Sequence, residues 1–187
     1  MTSIKGAGNL QLWPGSDGLL GLDAGDAICR NLAAEAHLPA PDSFVAWLSD
    51  ATTDAVDRLT GEGPYRRLDG FLIGESKADL VAAPVINSPH VDENFSYIEG
   101  QGYTWTGTDA DGQVTTTHCE SWTSDDPADF GSWGFATVSR DRTWTNGYWS
   151  RNCASLSNLY CFSSAVTLFW DGFDYTLDTS RWSSTVP

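Results

Sequence analysis

The sequence predicts an α+β domain in which two helices pack on a mixed, irregular β-sheet with long loops. Helical patterns are confined to the first third of the 187 residues, strand and turn patterns fill the rest, and 18 Gly with 8 Pro punctuate the chain. Helices early and β-structure late argue for segregated rather than alternating elements. The length suits one domain with a substantial core. That domain is read as residues 1–163, with 164–187 as a closing strand or the start of a following module.

The first helix is predicted over "GLDAGDAICRNLAAEAHLP". Asp23 or Asp26 caps or charges its start, Ala27, Ile28, Leu32 and Ala36 make a stripe near helical period, and Pro39 stops it. "SFVAWLSD" reads as a short buried strand. "DATTDAVDRLT" reads as a second helix with Val56 and Leu59 inward and Asp54, Asp57 and Arg58 on the wet side. Asp69-Gly70 in "GPYRRLDGFLIGES" is a hairpin turn between apolar runs. "LVAAPVINSPHVDENF" is a loop held extended by its prolines. Beyond it, "YTWTG" and "QVTTTHCESW" are strand patterns around "TDADG". "FGSWGFATVSRDRTWTNGYWSRN" is a Gly- and Trp-rich loop segment, and "SLSNLYCFS" a closing strand.

Charge narrows the choice of partner. Ten Lys+Arg against 25 Asp+Glu give a formal charge of −15, which cannot supply the cationic footprint a phosphate backbone needs. Nucleic acid, anionic membrane surfaces and polysulfated glycans are therefore disfavoured. No stretch approaches the roughly 18 apolar residues of a membrane span, so no membrane insertion is expected. "MTSIKGAGNL" lacks the apolar core of a secretory leader.

Cys29, Cys119, Cys153 and Cys161 are an even set without a C-x-x-C pair, which favours two disulfides in an oxidising compartment over a zinc ribbon. Spacing leaves three connectivities open. A Cys29–Cys161 bridge would join a helix to a closing strand, with Cys119–Cys153 nested inside. Closing so long an outer loop contributes about 4–5 kcal/mol in the chain-entropy model.

Four stretches carry a family resemblance: "GLDAGDAIC", "FVAWLSDATTDAVDRL", "WTGTDADG…HCESW" and "CASLSNLYCF". Together they resemble an endostatin-like domain of the C-type lectin-like fold, in its bacterial secreted form, over roughly residues 19–162. The resemblance implies the nested disulfide pairing. It departs in chemistry: there is no N-terminal histidine cluster for zinc, and the charge is opposite to that of a heparin-binding face. "WTN" stands at Trp144–Asn146 without the proline triplet of calcium-dependent lectins. The tail, through "FDYTLDTSRW", is similar to the opening strand of concanavalin-like jelly-roll modules.

Two acidic stretches invite a metal. Asp109, Asp111 and Glu120 occupy the first, third and twelfth places of a loop, but Val114 falls where an EF-hand needs Gly, so an Asp-Gly hairpin turn is the expected reading. If calcium binds anywhere, the place is Asp92, Glu93 and Asn94; otherwise no cofactor is expected. His37, His90 and His118 are too scattered for a triad.

The ligand site is expected in the late loop. Trp133, Trp144, Tyr148 and Trp149 crowd a polar stretch, and sugar rings suit flat aromatic faces flanked by polar groups; the alternative is that these tryptophans pack a second small core beneath the loop. Arg140, Asp141, Arg142, Asn146 and Arg151 would supply those contacts. "GSWG" is not a nucleophile elbow, and no nucleophile–base set remains once the cysteines pair. The expected protein is a secreted or extracellular, non-catalytic recognition module for a glycan or an extracellular protein. The contrasting class is a structural or matrix-interaction module without a small ligand.

Overall fold

The computed structural model describes residues 1–82 and 84–164. Residues 165–187, which hold the jelly-roll-like stretch, lie outside them.

Helix α1 (Gly21–Glu35) is the longest element. Asp23 sits in its first turn, where its charge suits the helix dipole, but Leu20 at the N-cap makes no side-chain cap. The helix ends in a Schellman arrangement: Leu38 N–H donates to Ala33 O and His37 N–H to Ala34 O, with His37 at φ 54° in the place glycine usually takes. Its buried face meets strand β1 (Phe44–Ala46) so closely that a Cβ on Gly25 would stand 3.1 Å from Ala46 Cβ.

The second helix, α2, is only Ala55–Arg58, because the Asp50 carboxylate accepts the N–H groups of Thr52 and Thr53 in a local turn that competes with helix. Arg58 is not on the wet side. Its guanidinium turns inward to Asp26, whose carboxylate also accepts Ala46 N–H. Asp26 therefore ties α1 to β1 and α2 rather than capping a helix.

Strands β2 (Tyr65–Arg66) and β3 (Leu72–Gly74) form the antiparallel hairpin expected around Asp69-Gly70. Helix α3 (Lys77–Ala82) follows where a loop was expected; Asp79 accepts Ser76 N–H at its start, and Leu80 is buried.

The main sheet has the order β6-β5-β4-β7, built from β4 (Tyr103–Trp105), β5 (Phe130–Phe135), β6 (Ser150–Asn152) and β7 (Asn158–Leu159). The β4–β7 pair is parallel and the others antiparallel. Strand β8 (Cys161–Ser163) leaves this sheet to pair with β1. Two expectations are corrected here. "FGSWGF" is a central strand, not a loop; its glycines permit close approach, since a Cβ on Gly134 would meet Trp144 O at 1.9 Å. "QVTTTHCESW" makes only isolated bridges, Thr108 with Val114 and His118 with Gly131. It then enters a single turn, α4 (Cys119–Trp122), whose four residues all have φ between 50° and 65°.

Two disulfides, Cys29–Cys161 and Cys119–Cys153, brace the fold. One core cluster lies between α1 and the main sheet, around Ile28, Leu48, Trp105, Trp122 and Leu159. The other lies beneath the hairpin, around Trp47, Leu59, Trp144, Tyr160 and Phe162. Among the described residues, no helix is long and apolar enough to cross a membrane.

Candidate functional site

The late loop runs from the end of β5 to the start of β6 and is pinned at both ends. Asp141 accepts Thr143 N–H and opens a 3₁₀ turn over Arg142–Trp144. Trp144 drives its ring into the second core, 5.2 Å from Trp47 and 5.4 Å from Tyr160 between centroids, and the Tyr160 hydroxyl donates to Trp144 O. Burial pushes the Tyr160 phenol above its usual pKa. Gly147 N–H then donates to Trp133 O at 2.6 Å, and Asn146 Oδ1 accepts Tyr148 N–H.

Between Gly147 and β6 the chain must cross two residues with no core beneath them. These are Tyr148 and Trp149, 74% and 78% exposed. Tyr148 also holds φ 65°, a conformation that a side chain resists.

A shallow depression of ≈ 310 Å³ lies beside Tyr148, lined by Arg140, Asp141, Arg142, Asn146, Pro84 and Ala110. Arg142 fixes its floor by pairing with Asp111 and donating to Ala82 O at 3.0 Å. Five of the nine residues expected in a ligand site thus converge there: Arg140, Asp141, Arg142, Asn146 and Tyr148. Trp149 is their exposed neighbour in sequence.

The remaining three are placed differently. Trp144 and Trp133 are buried and present no ring face to a ligand. Trp133 packs edge-on to Tyr103 and Phe135, under the backbone of Gly147. Arg151 lies over the Tyr103 ring at 4.0 Å, with Trp133 behind at 5.6 Å. Rather than ligand contacts, these two tryptophans are the packed core beneath the loop: Trp144 sinks into the second cluster and Trp133 lies under Gly147. Pro84 and Ala110 also line the depression, and Asp111 pairs with Arg142 beside it; these segments are distant in sequence and share no local pattern with the late loop.

The acidic stretches are satisfied from within. Asp109 Oδ1 accepts the N–H groups of Asp111 and Gln113, and Gly112 turns at φ 83°. Asp92 Oδ1 accepts Asn94 and Ser96 N–H at 2.9 Å each, while Glu93 Oε2 accepts Ser3 N–H at 2.8 Å. Both carboxylates are buried and fasten the 91–96 loop, Glu93 to the strand-like segment at residues 1–6.

No protein-family model matches this chain, and no curated protein matches it.

Proposed function

We propose that this domain is a secreted, non-catalytic recognition module of the C-type lectin-like, endostatin-like type, which binds a glycan or an extracellular protein through the crown of its late loop. The observation that carries the reading is the exposure of two adjacent rings, Tyr148 and Trp149, on a loop whose base is fixed by buried Trp144 and Trp133. Aromatic rings in water lose the area that burial would cover, on the order of 150–250 Å² each. A left-handed φ at Tyr148 adds a local cost, and strain of this kind clusters at binding sites. Polar groups of both signs stand beside the rings, with Arg140 and Asn146 offering donors and Asp141 a carboxylate. Such a surface suits the C–H faces and hydroxyl edges of a sugar. Two disulfides support an oxidising, extracellular setting.

The test is a glycan array probed with the folded domain and with Trp149→Ala. Binding by the first and not the second is expected. Silence across neutral and acidic glycans, with retention on an extracellular protein, would shift the reading to a matrix-interaction module.

A further inference from the structure

The two disulfides have opposite surroundings. Cys119 and Cys153 are fully buried. The backbones of Gly8 and Gly131 close over the Cys119 sulfur so tightly that an added Cβ would stand 2.4 and 2.7 Å from it. Cys29 and Cys161 instead form part of the wall of a cavity of ≈ 410 Å³ between α1, the β2–β3 hairpin and β8. Cys29 is buried, whereas Cys161 is partly open. A cavity of that size admits a small organic molecule. Arg66 and Arg67 share the wall with Glu93, so it carries charges of both signs.

We propose that the Cys29–Cys161 bridge is a thiol-exchange site, addressable by a small thiol or a thiol–disulfide oxidoreductase while Cys119–Cys153 stays closed. The thiolate attacks Cys161 Sγ, on the partly exposed residue of the pair. A mixed disulfide forms on Cys161, and Cys29 leaves as a thiolate that takes up a proton. A second thiolate attacks the outer sulfur of the mixed disulfide, releasing Cys161 as a thiolate that is likewise protonated. In sum, two thiols become one disulfide as the protein gains two electrons and two protons.

Opening this bridge frees β8 from α1, and β8 is joined to the late loop. Cys161 stands between Tyr160 and Phe162, and both pack on Trp144, at 5.4 and 6.3 Å. Tyr160 also bonds the Trp144 carbonyl. Reduction therefore loosens the base on which Tyr148 and Trp149 are raised. This regulatory consequence rests on the recognition reading of the loop; the sulfur chemistry does not.

The experiment uses the folded full chain in native buffer with excess reduced glutathione, quenched by alkylation and read by peptide mass spectrometry. Glutathione is expected on Cys161, followed by alkylation of Cys29 and Cys161, with the outer bridge opening roughly tenfold or more faster than the inner. Glutathione on Cys119 or Cys153, four sulfurs reacting together, or opening only in step with global unfolding would overturn the proposal. Hydrogen exchange at Thr145, Asn146 and Gly147, whose N–H groups anchor the loop, should quicken in the selectively reduced protein. Unchanged exchange would refute the coupling. A silent glycan array affects neither readout, so failure of the recognition reading is separable.

Discussion

Arg58 Nη2 lies 2.6 Å from Asp26 Oδ1, joining the second helix to the first across the strand between them. Both side chains are nearly buried, at 10% and 12% exposure. The same carboxylate accepts Ala46 N–H, and Arg58 also donates to Ala46 O. Removing Asp26 leaves the Arg58 guanidinium with backbone carbonyls alone, and removing Arg58 leaves the Asp26 carboxylate with Ala46 N–H and the more exposed Arg30 at 3.7 Å. Arg58→Ala is therefore expected to destabilise the fold by about 3 kcal/mol. Chemical denaturation of Arg58→Ala, Asp26→Ala and the double variant measures this. The double variant should lose less than the sum of the single losses.

The aromatic residues of the late loop divide into crown and anchor, and substitutions should separate them. Trp149→Ala is expected to change folding stability by no more than about 0.5 kcal/mol while weakening ligand binding at least roughly tenfold, about 1.4 kcal/mol. Trp144→Ala is expected to cost about 3–5 kcal/mol of stability. Thermal unfolding alongside titration of whichever ligand the array identifies distinguishes the two. Equal effects on both measurements would remove the division.

The turn at Cys119–Trp122 places four side chains in a left-handed conformation, and Glu120 does so while exposed. L-residues pay roughly 1–2 kcal/mol each for this geometry. Glu120 is exposed and its side chain makes no hydrogen bond or ion pair among the described residues, whereas Trp122 is buried and donates to Ser49 O. Glu120→Gly is expected to stabilise the protein by about 0.5–1 kcal/mol, read as a rise in the denaturation midpoint.

Asp69 governs a pH dependence. Hydrogen bonds from Arg67, then from Tyr97, hold its carboxyl below the ordinary range, against some desolvation. Its folded pKa is thus lower than its unfolded one. The stability it contributes is complete above the ordinary carboxylate pKa of about 4 and is lost as pH falls through the depressed folded value. Asp69→Asn should flatten stability against pH in that acid window and leave a lower plateau at neutral pH. Urea denaturation from pH 2 to 7 checks this.

Much of this arrangement was legible in the residues. The first helix and the hairpin at Asp69-Gly70 announce themselves through apolar period and turn chemistry, whereas the one closing strand expected over "SLSNLYCFS" divides into β7 and β8, which join different sheets. The late loop was legible as an aromatic, polar excursion but not in its internal division. Four clustered rings look alike in sequence, yet only Tyr148 and Trp149 lie where the chain spans from Gly147 to β6 without a core beneath. Glycine misled at β5, because Gly131 and Gly134 are required by close neighbours rather than by a turn. Arg58 misled because polarity places it outside, whereas a partner from another element, Asp26, draws it in. Long-range pairing of this kind leaves no local pattern.

Thr2 N–H donates to Leu159 O, and Asn158 Nδ2 donates to Thr2 O, so the earliest residues are hydrogen-bonded partners of nearly the latest described ones. Because β4 also waits for β7 and β1 for β8, a growing polypeptide emerging from the ribosome holds several unmatched edges until about residue 163 is made. Assembly of this domain consequently waits for its last strands, is slow for its size, and is vulnerable to aggregation while those strands are still being synthesised.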